Sequence, residues 1–195
     1  MMSKNHAMNH GRTIAIIPAR GGSKRLAKKN IYPFLGKPLM AYTIEACKAS
    51  KHIEDIYVSS DDDEILEVAR EFGAIPLKRP NQLADDMTPK IIAIRQAVMD
   101  LVVTAKGAVE TVIIPQANSP QITADQMDRG FELMKDYGLW EVMSADSNGV
   151  QNAAFRIVKK EALFNEFLSA HCGFVIANNA DIHTLEDLER LAKTV

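Results

Sequence analysis

The stretch Thr13-Ile-Ala-Ile-Ile-Pro18, followed at once by Ala19-Arg-Gly-Gly-Ser-Lys-Arg25, decides the fold. Its first half is short, apolar and rich in β-branched side chains, with no polar face to turn toward water. Such a run predicts a strand covered on both sides, as in a parallel sheet. Working outward, strands and helices take turns. From Pro38 to Ala49 the apolar residues Leu39, Tyr42, Ala46 and Cys47 follow helical spacing, with Pro38 near the start, where its missing N–H costs little. Ile56-Tyr57-Val58 reads as the next strand. Asp61 to Phe72 reads as a helix: Asp61 can cap it, three more acids complement the dipole of its first turn, and Gly73 stands where a C-terminal glycine belongs.

The alternation continues with a strand near Ile75 to Lys78, a helix from Thr88 to Val103, a strand at Thr111 to Ile114 and a helix from Thr123 to Tyr137. Strands at Val142 to Ala145 and Ala153 to Val158 follow, then a short helix near Lys160 to Leu168, a strand at Gly173 to Ile176 and a last helix from Leu185 to Lys193. This order predicts an α/β three-layer sandwich with a mainly parallel sheet. One domain from Thr13 to Val195 accounts for the pattern, after a polar, disordered leader at residues 1–12 that lacks the apolar stretch of a secretory signal.

Composition agrees. With 195 residues, 47% apolar and 25% charged, the chain is neither disordered nor fibrous, and its length suits one domain. The formal net charge of −2 gives no global field that would draw nucleic acid or a membrane surface, so any anion site must be local. No apolar run approaches the roughly 18 residues that span a bilayer. Cys47 and Cys172 have neither metal-ligand nor CxxC spacing, which suits a reducing, cytoplasmic setting, and both read as core residues. Trp140 and the methionines read as core too.

In open α/β sheets ligands sit beyond the carboxyl ends of the strands, so the residues just after strands carry the functional question. Arg20 to Asn30 holds five cations (Arg20, Lys24, Arg25, Lys28, Lys29) and no acid. The Gly21-Gly22 pair lets successive backbone N–H groups, with those of Ala19 and Ser23 beside them, converge on an anion, while the cations reach several oxygens of a polyphosphate. The spacing is neither a Walker P-loop nor a dinucleotide turn, and a merely solvated basic loop is the alternative. Arg79 follows a strand near the same sheet edge. Gln116-Ala-Asn-Ser-Pro120 places short amides and a hydroxyl after another strand, where a simple turn would use the same residues. Asp61 to Glu64 reads as dipole complement rather than as a metal site, and Asp85-Asp86 as a turn before a helix. Asp181 and His183 share one face of an extended segment and are potential ligands, although Thr184 can equally cap the last helix with Asp187 at the capping-box position.

Taken together, IIPARGGSKRLAKKN (16–30), GKPLMAYTIEA (36–46), IYVSSDDDEILEVAREFGA (56–74) and KRPNQLADDMTP (78–89) resemble the acylneuraminate cytidylyltransferases, the CMP-sialic acid synthetases. IIPQANSPQ and ADIHTLEDL resemble that family's later Q-P-T-S-P and D-I-D-T-x-x-D-L segments. The resemblance implies a Rossmann-like nucleotidyltransferase (nucleotide-diphospho-sugar transferase) fold. It implies transfer of CMP from CTP to the anomeric hydroxyl of an acidic 2-keto sugar, release of pyrophosphate, and help from Mg²⁺. By the same resemblance Arg20, Lys24 and Lys29 contact phosphates, and Asn30 and Arg79 contact the nucleotide with the Ala19 to Ser23 loop. Gln116 lies near the sugar and α-phosphate, and Asp181 is the first of two metal-binding acids. The chain departs from the family in three places. His183 replaces the second metal-binding Asp, leaving Asp181 and His183 as the metal candidates. Ile122 stands where an arginine is common. The stretch between Ala145 and Asn152 is short where the family has a long excursion that builds a dimer contact and contributes sugar-binding residues. A homodimer would then use a reduced or different interface. A CTP-binding module without turnover, or a nucleotidyltransferase for another sugar, stands beside the leading reading.

Overall fold

A computed structural model describes residues 11–85, 87–104, 108–166 and 169–194. The opening strand is β1 (Arg12–Pro18), one residue longer than the sequence predicts. Arg12 belongs to the sheet rather than to the leader because its N–H donates to the Ala108 carbonyl at 2.8 Å and its guanidinium pairs with Asp55. Residues 1–10, the rest of the expected leader, lie outside the described residues.

Around β1 are β4 (Asp55–Ser60), β5 (Ile75–Lys78), β6 (Val109–Pro115), β7 (Glu141–Ala145), β8 (Gln151–Lys159) and β9 (Cys172–Ile176). They form one sheet in the order β5-β4-β1-β6-β8-β7-β9. β8 alone runs against its neighbours β6 and β7, and the other pairs are parallel. The helices are α1 (Leu39–Ala49), α2 (Asp63–Glu71), α3 (Lys90–Thr104), α4 (Ala124–Asp136), α5 (Lys160–Leu163) and α6 (Leu185–Ala192).

Period-two alternation explains why β1 carries no polar face. Ala15 and Ile17 point into a core with Met40 and Ile44 of α1, Ile65 of α2 and Met127 of α4. Ile14 and Ile16 point the other way, onto Ile94 and Val98 of α3 and Leu163 of α5. Helices cover both faces, which gives the three layers of the expected α/β sandwich. A third, smaller cluster joins Phe34 and Leu39 to Ile182, Leu188 and Leu191, fixing α6 and the segment before it beside the start of α1. Phe34 lies on a minimal hairpin, β2 (Pro33–Phe34) and β3 (Lys37–Pro38), absent from the sequence reading. Its turn residues Leu35 and Gly36 both adopt positive φ, 43° and 88°, as a two-residue hairpin requires.

Four expectations need correction. Asp62, not Asp61, caps α2, accepting from Glu64 N at 2.8 Å, because the Asp61 carboxylate is turned toward Gly21. α5 ends at Leu163 instead of Leu168: Arg95 of α3 takes the carbonyls of Leu163 and Asn165 at 2.7 and 2.8 Å and stops the helix there. Positions 167 and 168 lie outside the described residues. Trp140 is not core but 41% exposed at the far side of the sheet, where it stacks on His171, and Met87 and Met99 are exposed too. Cys47 is buried as expected, whereas Cys172 is only partly so. Between β7 and β8, where the stretch is short and the resembled family has a long excursion, a tight turn closes. Asp146 N donates to the Val150 carbonyl at 2.8 Å, and the Asp146 carboxylate accepts the Asn148 and Val150 amides. Among the described residues no helix is long and apolar enough to cross a membrane.

Candidate functional site

The carboxyl ends of β1, β5 and β6 open into a cleft of about 560 Å³. β1 delivers the basic loop to it. Ala19 is buried and its N–H donates to the Ser59 carbonyl at 3.0 Å; Gly21 N–H donates to Asp61 Oδ1 at 3.0 Å; Ser23 N–H donates to the Gly21 carbonyl at 2.8 Å. These three amides are engaged within the protein, and Arg20, Ser23, Lys24 and Arg25 of the loop line the cleft. The two glycines differ. A Cβ on Gly21 would lie 2.7 Å from the Asp62 Cβ, so close approach of loop and α2 requires glycine there, while a Cβ on Gly22 would meet nothing within 4 Å.

Asn30 is buried and its amide donates to the Arg20 carbonyl at 3.0 Å, which ties the two ends of the loop together. Lys28 turns away to pair with Glu64 at 2.6 Å. Lys29 stays in the cleft and donates to the Ile182 carbonyl at 2.9 Å. Across from it, Arg79 at the end of β5 is buried and donates to the Ser59 carbonyl at 2.8 Å. Lys90, the first residue of α3, completes the wall with Gln116 after β6.

The electrostatics of these groups agree with one another. Desolvation pushes Lys29 below the ordinary lysine range, Asp181 pulls it back, and Arg25 and Arg20 push it further down. Desolvation likewise lowers Arg79, against Asp61 and reinforced by Arg20, and lowers Lys90 against Asp181. Cations crowded out of water and against each other are stabilised by a polyanion. Among the described residues lining the cleft, Arg20, Lys24, Arg25, Lys29, Arg79 and Lys90 face a single carboxylic acid, Asp85.

The C-terminal segment closes one side. Asn118 carries it: its carbonyl accepts from Ile182 N at 2.9 Å, and its amide donates to the Ile182 carbonyl at 2.7 Å and to Asp181 Oδ1. The other Asp181 oxygen meets His183 Nε2 at 3.1 Å, and His183 Nδ1 meets the Arg25 guanidinium at 3.0 Å. Mg²⁺ takes a near-octahedral shell of oxygens, usually one or two carboxylates plus phosphate oxygens. Here both Asp181 oxygens already accept from a side chain, and both ring nitrogens of His183 are engaged. Among the described residues no three His, Cys, Asp or Glu side chains group together, and Asp181 is the one carboxylate of the pair. This donor set does not fit a Mg²⁺ site built from Asp181 and His183.

A second hollow of about 200 Å³ adjoins the cleft and shares Lys90 and Gln116 with it. Ile91, Ile94, Ile114 and Phe155 form an apolar wall, and Gln151 and Arg156 add polar groups. Arg156 is held by the buried carboxylate of Glu141, which accepts from its Nε at 2.8 Å.

The structure therefore brings Arg20, Ser23, Lys24, Lys29, Asn30, Arg79, Gln116 and His183 to one cleft, with Asp181 bonded to His183, Ala19 and Gly21 holding the base of the loop, and Gly22 exposed outside the cleft lining. Ile122 is buried in the main core. Sequence reasoning passed over Lys90 and Asn118. A signal existed for Lys90, since a lysine in the first turn of a helix opposes the dipole and needs another reason to be there. Asn118 sat in the Gln116 to Pro120 segment without a sign of its distant partners.

Comparison with known proteins puts these features in a family context. A family model described as cytidylyltransferase matches residues 14–160. The chain is 38% identical over 122 residues to a pseudaminic acid cytidylyltransferase of Campylobacter jejuni subsp. jejuni, covering 62% of this chain and 52% of that protein. It is 37% identical over 131 residues to a CMP-N,N'-diacetyllegionaminic acid synthase of Legionella pneumophila subsp. pneumophila, covering 65% and 55% respectively. The chain thus spans about half the length of these curated relatives. Among solved structures, a CMP:2-keto-3-deoxy-manno-octonic acid synthetase complexed with CTP superposes with a TM-score of 0.76 at 14% identity, over 94% of this chain and 98% of that one, a likeness of fold.

Proposed function

The chain belongs to the cytidylyltransferase family, and from that premise we propose that it transfers CMP from CTP to the anomeric hydroxyl of a sialic-acid-like 2-keto acid sugar, releasing pyrophosphate. The observation that carries this reading is the cleft at the strand ends, in which six cationic side chains face one carboxylic acid among the described lining residues. The relatives named for pseudaminic and legionaminic acids support an acidic nine-carbon sugar as acceptor.

In this reading the anomeric oxygen attacks the α-phosphorus in line. A new P–O bond forms, the bond from the α-phosphorus to the bridging oxygen of pyrophosphate breaks, and the hydroxyl proton passes to water. Arg20, Lys24 and Lys29 hold the β- and γ-phosphates and stabilise the charge that builds on the leaving pyrophosphate. Arg79 and Asn30 keep the nucleotide and the loop in place. Gln116, where cleft and hollow meet, orients the acceptor against the α-phosphate, and holding two reactants in line supplies much of the rate. The adjoining hollow suits the acceptor: Lys90 and Arg156 offer charge to its carboxylate, and the isoleucines and Phe155 offer an apolar wall to acyl methyl groups.

Pyrophosphate release from CTP over a panel of acidic sugars tests the reading, with release expected for at least one of them. The Lys24→Ala/Lys29→Ala double variant should weaken CTP binding by about 100-fold or more, since each charge-assisted phosphate contact is worth roughly 1.5–3 kcal/mol. The tight β7–β8 turn favours a second reading, a CTP-binding module without turnover. CTP binding with no release on any acceptor would select it, and absence of CTP binding would sink both.

A further inference from the structure

Arg25, His183 and Asp181 form a hydrogen-bonded line at the edge of the cleft, at the place where the family resemblance puts a pair of metal-binding carboxylates. A guanidinium has donors only, so His183 Nδ1 must accept from Arg25 at 3.0 Å. The ring proton is thereby assigned to Nε2, which donates to Asp181 Oδ2 at 3.1 Å. The Asn118 amide donates to the other oxygen of Asp181. A divalent cation on Asp181 would sit close to the Arg25 guanidinium, and the imidazole N–H that shares this carboxylate is a donor that cannot ligate it.

We propose that this protein binds the CTP triphosphate without a divalent cation, Arg25 supplying at the His183 position the positive charge that a carboxylate-bound metal would otherwise bring. The inference rests on the nucleotide reading above and goes beyond it. Arg25 lines the cleft together with Arg20, Lys24, Lys29 and Lys90, so the charge of a metal-free triphosphate meets cations on several sides. The guanidinium fork matches two phosphate oxygens at once, and Arg25 is exposed enough to swing from His183 to a ligand. His183 is then a positioning residue: it parks Arg25 and holds Asp181 against Asn118.

Calorimetric titration of CTP into the protein, once with excess Mg²⁺ and once with EDTA, reads the proposal directly. The Kd in EDTA should equal the Kd in Mg²⁺ within about threefold, or be tighter, which is under ~1 kcal/mol. Arg25→Ala should weaken binding in EDTA by about tenfold or more, and His183→Asp should make binding depend on Mg²⁺, with a ratio of about ten or more between the two buffers. Binding by the wild type only in Mg²⁺ overturns the proposal and leaves the nucleotide reading standing. An unchanged affinity of Arg25→Ala in EDTA also overturns it. No binding in either buffer overturns the nucleotide reading and this inference together.

Discussion

Two adjacent glycines carry different physical duties. Gly21 and Gly22 look equivalent in a basic loop, yet a Cβ on Gly21 would sit 2.7 Å from both Cβ and Oδ2 of Asp62, the residue that caps α2. That neighbour cannot give way easily, because Asp61 beside it accepts the Gly21 N–H and Asp62 accepts the first amides of the helix. Gly22 has open space around it and no left-handed backbone to maintain. Gly21→Ala should therefore cost about 1–3 kcal/mol by overpacking, a fall in thermal midpoint of roughly 2–12 °C at this chain length. Gly22→Ala should leave the midpoint unchanged or slightly raised, since alanine narrows the unfolded ensemble. Scanning calorimetry on the two single variants decides it, and equal shifts would contradict the distinction. The cations near this loop were legible because charge concentrated in eleven residues stands out against a nearly neutral chain. Lys90 carries only the faint signal of a lysine that opposes the dipole at a helix start, and the meaning of that position comes from distant groups such as Asp181.

At the scale of elements, what was readable depended on whether the partners were local. Thr184 caps α6 as its sequence suggests, with Asp187 closing the box: Asp187 N donates to Thr184 Oγ1 at 3.3 Å, and the Asp187 carboxylate accepts from Thr184 N at 2.9 Å. The same logic holds α4 through Thr123 and Gln126. By contrast, the true cap of α2 and the early end of α5 are set by Gly21 and Arg95, which are 40 or more residues away in sequence and invisible to any local rule. β1 could be read because burial on both faces removes polar residues altogether. The β2–β3 hairpin could not, since its strands are two residues each. The α6 cap makes a quantitative prediction. Thr184→Ala should cost about 1 kcal/mol in urea unfolding. Asp187 is held below the ordinary carboxylate range chiefly by the His183 amide, against a smaller opposing pull from desolvation and with help from the Thr184 amide and hydroxyl and from Arg190. Its folded pKa is depressed, so its contribution is complete above the unfolded value of about 3.9 and disappears as pH falls through the folded value. The stability gap between wild type and Asp187→Asn should accordingly be full at pH 7 and shrink over that acid window. A gap that stays constant with pH would show that the carboxylate charge is not what holds the cap.

For the molecule as a whole, the cleft is assembled from segments that belong to different cores. The basic loop, Arg79 and Gln116 leave the sheet between its two large clusters, whereas Asp181 and His183 hang from the third cluster, which is small and packs around Ile182, Leu188 and Leu191. The Ile182 carbonyl is where these parts meet, accepting from Lys29 at 2.9 Å and from Asn118 at 2.7 Å. Loosening the third cluster should therefore cost nucleotide binding in a way that loosening the sheet does not. Leu191→Ala and Leu101→Ala are a matched pair, both buried leucines, the second packed under the sheet on α3. Each should destabilise by about 2–5 kcal/mol. In the wild type, CTP at one hundred times its Kd should add about 2.7 kcal/mol, or roughly 5–11 °C in midpoint for a chain of this length. At that same CTP concentration Leu101→Ala should keep the full gain and Leu191→Ala should lose most of it, because its C-terminal segment no longer holds Ile182 and Asp181 against Lys29 and Asn118. Equal gains in the two variants would mean that the C-terminal segment contributes nothing to the bound state, and the nucleotide site would then end at the basic loop, Arg79 and Gln116.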